Sequence, residues 1–205
     1  MNKNDLRYLK TERLIEDAFF SCAAEYSLDD VFIKDICSKA LISRNTFYAH
    51  YTDKYELLES IYDRIEQEML DALTPQVIEG LATDTIYASS DWCISAIHAR
   101  WKTLRTLAKC SPERFRKMID RVFIDETLAT VYENLDSIEG DIRLKMLKSY
   151  VSDGLTSIIL IWFESDGALG KEQVADLLFQ VSHEAVAYFY HEIDASKKTT
   201  RLVNR

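Results

Sequence analysis

Glycine and proline are so scarce in this chain that they restrict it to a mostly helical fold. The 205 residues contain five glycines and two prolines, and these two residue types normally interrupt helices and form turns. Hydrophobic residues make up 47% of the chain, which at this length is enough to form a substantial core. The sequence therefore predicts an all-α protein.

Four helical segments are predicted within the first 73 residues. In the first segment, apolar residues recur at steps of three or four, namely Leu14, Ile15, Ala18, Phe19 and Cys22. A short second segment covers about 33–40, and a third runs from about Arg44 to Tyr51. Thr52 or Asp53 can cap a fourth. Two short helices joined by a three-residue turn and braced by a longer helix have the layout of a helix-turn-helix, here at about 33–51.

Several residues of this motif suit contacts with DNA. The second short helix of a helix-turn-helix leads into the major groove with its N-terminal residues, which here are Arg44, Asn45 and Thr46. Tyr48, His50 and Lys54 follow, where phosphates would pass. Ser43 is a suitable N-cap because its hydroxyl can accept a free backbone N–H of the next turn. The alternative is a polar surface helix that only packs through Phe47 and Tyr51.

The overall charge excludes a broad basic face. The formal net charge is −9, so any contact with nucleic acid must be local. The most hydrophobic stretch, Ser157 to Phe163, is too short to span a bilayer, and the N-terminus lacks the apolar stretch of a signal peptide. The four cysteines show no CxxC spacing. We expect a cytoplasmic protein with no membrane contact, metal site or disulfide framework.

The C-terminal part has long helical patterns, at Trp92–Leu107, Phe115 to about Leu135, and Ile142–Phe163. A further helix carries the last apolar face, and the polar tail 195–205 is expected to be disordered. Aromatic and polar residues in this part could line an effector pocket, and the candidates are His98, Trp101, Phe115, Met118 and Tyr150. The alternative is an ordinary bundle core.

Two apolar helices at the chain end could form a four-helix dimer interface or belong to the intramolecular core. The candidate interface residues are Ile158, Trp162, Leu177, Val181, Ala185 and Tyr188.

The stretch from Leu14 to Leu58 resembles the DNA-binding domain of the TetR family of bacterial transcriptional regulators, and the matching string, from Ile33 to Leu58, is IKDICSKALISRNTFYAHYTDKYELL. Tyr150, Gly154, Trp162 and Gly167 more loosely resemble a branch common in Gram-positive bacteria that includes regulators of dihydroxyacetone use. The resemblance implies a helix-turn-helix domain at 8–68 and a C-terminal effector-binding and dimerisation domain at 75–193, built as an antiparallel helical bundle. It also implies a homodimer that binds a double-stranded DNA operator and a small-molecule effector. Lys34 joins the implied DNA-binding set, in which Ser43 also touches phosphate.

Three features depart from the family pattern. Leu41 stands where the turn usually has glycine, and a bulky residue is costly at positive φ, so the turn could be remodelled. Phe32 replaces a capping threonine, which removes a cap worth roughly 1 kcal/mol; Asp29 or Asp30 could substitute. Residues 1–54 contain eight Lys and Arg against nine Asp and Glu, a weak balance for binding DNA.

The sequence thus favours a homodimeric repressor whose operator affinity a small molecule modulates. The second hypothesis is a co-activator or protein-interaction adaptor on the same scaffold, with weak affinity for DNA. An enzyme is disfavoured because the chain contains no P-loop, GxGxxG, GxSxG or HExxH motif, and no cofactor is expected.

Overall fold

A computed structural model describes residues 6–72, 85–125 and 142–181 of the chain. All regular elements within these ranges are helices, so the prediction of an all-α fold is confirmed. Ala185, Tyr188 and the tail 195–205 lie outside the described residues.

The described residues divide between two compact units. The first unit contains 6–71 together with 101–115, and the second contains 72, 85–100, 116–125 and 142–181. The predicted C-terminal domain, 75–193, included residues 101–115, which the structure groups with the first unit. Their place in the first unit follows from contacts with its fourth helix, described below.

The first unit begins with α1 (Leu6–Glu25), α2 (Ile33–Ala40), α3 (Arg44–Tyr48) and α4 (Lys54–Asp71). Its N-terminal core contains Ile15, Phe19, Ile36, Phe47, Leu57 and Ile61, which are all fully buried. Leu14, which the periodicity placed on the apolar stripe of α1, is instead half exposed. The four predicted segments are present. Along the chain, α1 precedes and α4 follows the helix-turn-helix formed by α2 and α3.

Contacts from α4 hold two later helices in the same unit: α6 (Trp101–Cys110) and the start of α7 (Pro112–Ile119). The hydroxyl of Tyr62 on α4 donates to the carbonyl oxygens of Leu107 at 2.8 Å and Ser111 at 3.1 Å. Arg114 lies over the Tyr62 ring, 4.8 Å from its centroid. The same guanidinium pairs with Glu59, Asp63 and Glu66 of α4 at 2.9–3.1 Å.

The second unit contains α5 (Thr85–Ala99), a π-helical turn (Asp120–Asp125), α8 (Ile142–Glu164) and a helix α9, described over residues 171–181. The prediction of one helix from Trp92 to Leu107 was wrong. The chain turns at Arg100, whose N–H donates to the carbonyl oxygen of Ile97, and neither glycine nor proline marks this break. The predicted helix at Ile142–Phe163 is confirmed by α8.

Candidate nucleic-acid interface

The turn between α2 and α3 fixes the direction in which α3 leaves α2. Leu41 adopts the left-handed conformation, with φ 54° and ψ 41°. Its N–H donates to the carbonyl oxygen of Ser38, and the N–H of Ile42 donates to that of Cys37. This pair of bonds is a Schellman motif, which satisfies the last carbonyls of α2. The turn is therefore kept, and not remodelled, although leucine occupies the glycine position.

Helix α3 is short, and it is fixed by a cap at its N-terminus and by one buried side chain. Oγ of Ser43 accepts the N–H of Thr46 at 3.0 Å and also lies 2.9 Å from Oγ1 of Thr46, so the sequence-based assignment of Ser43 as N-cap is confirmed. Phe47 anchors the opposite face and is fully buried. With one face held by the core, the first turn of the helix has a fixed orientation.

The residues expected to face DNA bases lie on the accessible side of this first turn. Arg44 and Asn45 are exposed and Thr46 is partly exposed, while Tyr48 is exposed at the end of the helix. No acidic residue occurs between Ile42 and Thr52. The exposed turn therefore presents a guanidinium, an amide and a hydroxyl without a competing carboxylate in the same stretch, and these groups can pair with base edges.

Asp53 begins the fourth helix as its N-cap. Its Oδ1 accepts the backbone N–H groups of Tyr55 and Glu56, both at 2.8 Å. Glu56 reaches back, and its Oε2 accepts the N–H of Thr52 at 2.6 Å. These reciprocal bonds satisfy donors that the start of a helix otherwise leaves free. Of the two residues considered from the sequence, Asp53 is the cap.

Lys54 does not present its charge to the outside, as had been expected of a phosphate contact. Its Nζ donates to three backbone carbonyl oxygens of the loop between α1 and α2, those of Leu28 (2.7 Å), Asp29 (3.0 Å) and Val31 (2.9 Å). An ammonium group has three donors, and all three are used. The structure therefore corrects the assignment of Lys54: it attaches the start of α4 to the loop that precedes α2.

His50 is also turned inward. Its side chain is 1% exposed, and its ring stacks on Tyr8 of α1 with the centroids 3.9 Å apart. Its Nδ1 lies 4.0 Å from Oε1 of Glu12 and has no hydrogen-bond partner among the described residues. Burial lowers the pKa of the imidazole, and the nearby Glu12 carboxylate opposes that shift. The prediction that His50 offers an exposed donor to phosphate is therefore corrected.

The start of α2 lacks the cap that most such motifs would have. Phe32 occupies the N-cap position, makes no side-chain capping bond and is 54% exposed. Asp30 accepts the hydroxyl of Ser27 instead, so neither neighbouring aspartate replaces the cap. Lys34 is exposed, and its Nζ lies 5.2 Å from the centroid of the Phe32 ring. Of the lysines assigned to DNA, Lys34 keeps its charge on the surface.

The five candidates for an effector pocket are divided between the two units. Trp101 and Phe115 belong to the first unit, whereas His98, Met118 and Tyr150 belong to the second. Phe115 and Met118 are fully buried, whereas His98 and Tyr150 are exposed. The prediction of one pocket lined by all five residues stays a prediction.

The second unit instead has an apolar groove on its surface, formed by α8 and α9. The groove has a volume of about 240 Å³, and Tyr150, Gly154, Ile158 and Val181 are among its lining residues. Along α8 the exposed apolar residues continue the same stripe, at Ile142, Met146, Tyr150 and Ile161. Large exposed apolar patches are typical of interaction sites.

Not all of the predicted dimer residues lie on this surface. Leu177 and Val181 are exposed and Ile158 is partly exposed. Trp162 is buried within the unit: its indole N–H donates to the carbonyl oxygen of Leu169 at 2.9 Å, and its ring stacks on His98. Trp162 is thus corrected from an interface residue to an intramolecular one, while its neighbour Ile161 is 64% exposed.

Within the described ranges, no cluster of three or more histidines, cysteines and acidic residues could hold a metal ion. Among the helices of the same ranges, none combines the length and the apolar character needed to cross a membrane.

Comparison with known proteins finds similar chains among transcriptional regulators. No family model matches the chain. A curated relative, the uncharacterized HTH-type transcriptional regulator YxbF of Bacillus subtilis (strain 168), is 22% identical over 186 residues, which is 87% of this chain and 46% of YxbF. The chain thus spans about half the length of this relative.

A solved structure shares the fold over most of both chains. It is a TetR transcriptional regulator from Streptococcus agalactiae 2603V, with a TM-score of 0.61 and 18% identity, and the match covers 85% of this chain and 94% of that one. The resemblance first indicated by Ile33–Leu58 is confirmed, and the chain has the fold of the TetR family of transcriptional regulators.

Proposed function

We propose that this chain is a sequence-specific, DNA-binding transcriptional regulator that acts as a homodimeric repressor. The observation that carries the proposal is the first turn of α3, where Arg44 and Asn45 are exposed in a stretch without acidic residues. The Ser43 cap and buried Phe47 hold this turn in one orientation. A rigid donor-rich helix end is what direct readout in the major groove requires.

The proposed roles separate bases from phosphates. Arg44, Asn45 and Thr46 read base edges, whereas Ser43, Tyr48 and Lys34 contact phosphate. Lys54 and His50 support these residues from inside the head, the name we use for helices α1 to α4 (Leu6–Asp71): Lys54 donates to the α1–α2 loop, and the ring of His50 stacks on Tyr8. Phosphate contacts position the helix but carry no sequence information, so specificity depends on the base contacts.

Dimerisation is proposed through the stripe on α8 and the adjacent face of α9. Burying Ile161, Leu177 and Val181 against a second copy would remove apolar surface that the single chain leaves in water. A two-fold dimer places two recognition helices on half-sites about one helical turn apart. A small molecule that binds the two states of the dimer unequally would change its affinity for the operator.

DNA binding by the purified protein tests this proposal. Fluorescence anisotropy would follow binding to DNA from upstream of its own coding sequence and to fragments selected from the genome, at several salt concentrations and against scrambled DNA. We expect selective binding with two subunits per site. The slope of log K against log salt should be shallow, at roughly 0.9 per phosphate contact.

The second candidate function, a protein-interaction adaptor, is favoured by different observations. The head turns Lys54 and His50 inward, leaves Phe32 and Leu41 exposed, and belongs to a chain of net charge −9. This candidate predicts only weak, sequence-independent binding in the same assay, with no fragment enriched by selection.

A further inference from the structure

Leu41 is held in a position that is unfavourable for leucine on two grounds. Its φ of 54° lies in the left-handed region, where a Cβ atom meets the following carbonyl oxygen and glycine is normally used. Its side chain is also 91% exposed, so it gains little from burial in this chain. The Schellman hydrogen bonds are made by the backbone, so they would form equally well with glycine. Nothing within the described fold therefore accounts for a leucine side chain at this position.

The location of Leu41 indicates what it could contact. It lies three residues before Arg44 and two before the Ser43 cap, on the segment that leads into the first turn of α3. The left-handed backbone and its two hydrogen bonds hold the side chain in a defined direction. A leucine has no donor or acceptor, so it can select a base only through an apolar contact. In the major groove, the apolar group that distinguishes one base from the others is the 5-methyl group of thymine.

We propose that Leu41 is a specificity-determining residue, which packs on a thymine methyl group beside the base pair read by Arg44. This inference rests on the proposed function, because it requires that α3 enters the major groove. It adds a thymine preference that hydrogen bonding by Arg44 and Asn45 would not supply. It also explains why leucine occupies a strained position. The side chain destabilises the free protein slightly, but it makes a favourable contact in the complex with DNA.

Two substitutions, one in the protein and one in the DNA, test the contact together. Leu41→Gly removes the side chain and relieves the left-handed conformation, so its melting temperature should be equal to or higher than that of the unmodified protein. Replacing thymines one at a time by deoxyuridine removes only the methyl group. At one position of each half-site, deoxyuridine should weaken binding by the unmodified protein roughly fourfold, as expected for one buried methyl group. Leu41→Gly should bind the thymine site more weakly and should no longer distinguish thymine from deoxyuridine at that position.

The controls separate this inference from the proposed function. Leu14→Ala removes a half-exposed leucine from α1 and should leave both affinity and the deoxyuridine pattern unchanged. If the unmodified protein selects no DNA, the proposed function fails and the inference fails with it. If the unmodified protein selects a site but Leu41→Gly binds that site equally well, or keeps the same sensitivity to deoxyuridine, the inference alone is overturned.

Discussion

His50 shows how one buried side chain can make the helix-turn-helix domain, α1 to α4, sensitive to pH. Burial lowers the pKa of its imidazole in the folded chain, so the unfolded chain binds a proton more readily. Stability from this residue is therefore fully present above the ordinary histidine pKa of about 6.5 and is lost as the pH falls below it. The groups that face the ring are Tyr8, which stacks on it, Tyr51 beside it, and the Glu12 carboxylate.

We expect the melting temperature of the protein to fall between pH 7.5 and pH 5.5, and part of that fall to disappear in His50→Phe. Phenylalanine keeps an aromatic ring against Tyr8 but cannot take up a proton. The matched control is His98→Gln, which removes a histidine whose side chain is exposed. An identical pH profile for His50→Phe and the unmodified protein would show that burial of the ring does not couple folding to protonation.

At the same scale, the sequence predicted several residues correctly and misplaced others for a definable reason. Ser43 as a cap and Phe47 as an anchor follow from local rules, because both depend on neighbours within one or two helical turns. The orientations of His50 and Lys54 depend on Tyr8 and on carbonyl groups 23–26 residues away in sequence. No local pattern reports such distant partners.

Among the elements, the loop between α1 and α2 depends most on a single side chain. Lys54 donates to three of its carbonyl oxygens, and hydrogen bonds from a charged donor contribute more than neutral ones. We expect Lys54→Met to lower the free energy of unfolding by roughly 2–3 kcal/mol, measured by urea denaturation. Lys10→Met removes an exposed lysine from α1 and should have little effect.

This substitution distinguishes the structural role of Lys54 from the phosphate contact first predicted. Loss of an exposed phosphate contact would weaken binding to all DNA while leaving stability unchanged. If Lys54→Met denatures at the same urea concentration as the unmodified protein, the three carbonyl bonds are not important for the head.

Helix boundaries were predictable where capping residues mark them. Pro112 begins α7, and Asp53 caps α4, and both residue types are recognisable in a sequence. The break at Arg100 has no such marker. Residues 101–115, which follow this break, belong to the first unit because of contacts made by Tyr62 and Arg114. These are tertiary contacts between segments that are distant in sequence.

For the whole molecule, the main proposal beyond DNA binding is the dimer. Ile161→Glu places a charge on the exposed stripe of α8. Ile161 is largely exposed within its own chain, so its replacement should not disturb the core. We expect this variant to fold but to sediment as a monomer, because a buried unpaired carboxylate is costly in an interface. Because the variant does not dimerise, its affinity for an operator with two half-sites should also be lower.

Leu169→Glu is the control for this experiment. Leu169 is exposed to a similar degree as Leu177, one of the proposed interface residues. It lies, however, in the loop that follows α8 and not on the proposed interface. Sedimentation equilibrium of both variants and the unmodified protein gives the comparison. If Ile161→Glu remains a dimer, the association surface lies elsewhere on the chain.

The most direct test of the central claim, that the first turn of α3 reads bases, is the discrimination between selected and scrambled DNA by Arg44→Ala. Both affinities would be measured by anisotropy at one salt concentration, with Lys102→Ala, which removes an exposed lysine of α6, as the control. The account predicts that Arg44→Ala loses roughly 1–3 kcal/mol of binding to the selected site per half-site, with a much smaller loss on scrambled DNA. Equal losses on the two DNAs would show that Arg44 contributes charge alone and would contradict base reading by α3.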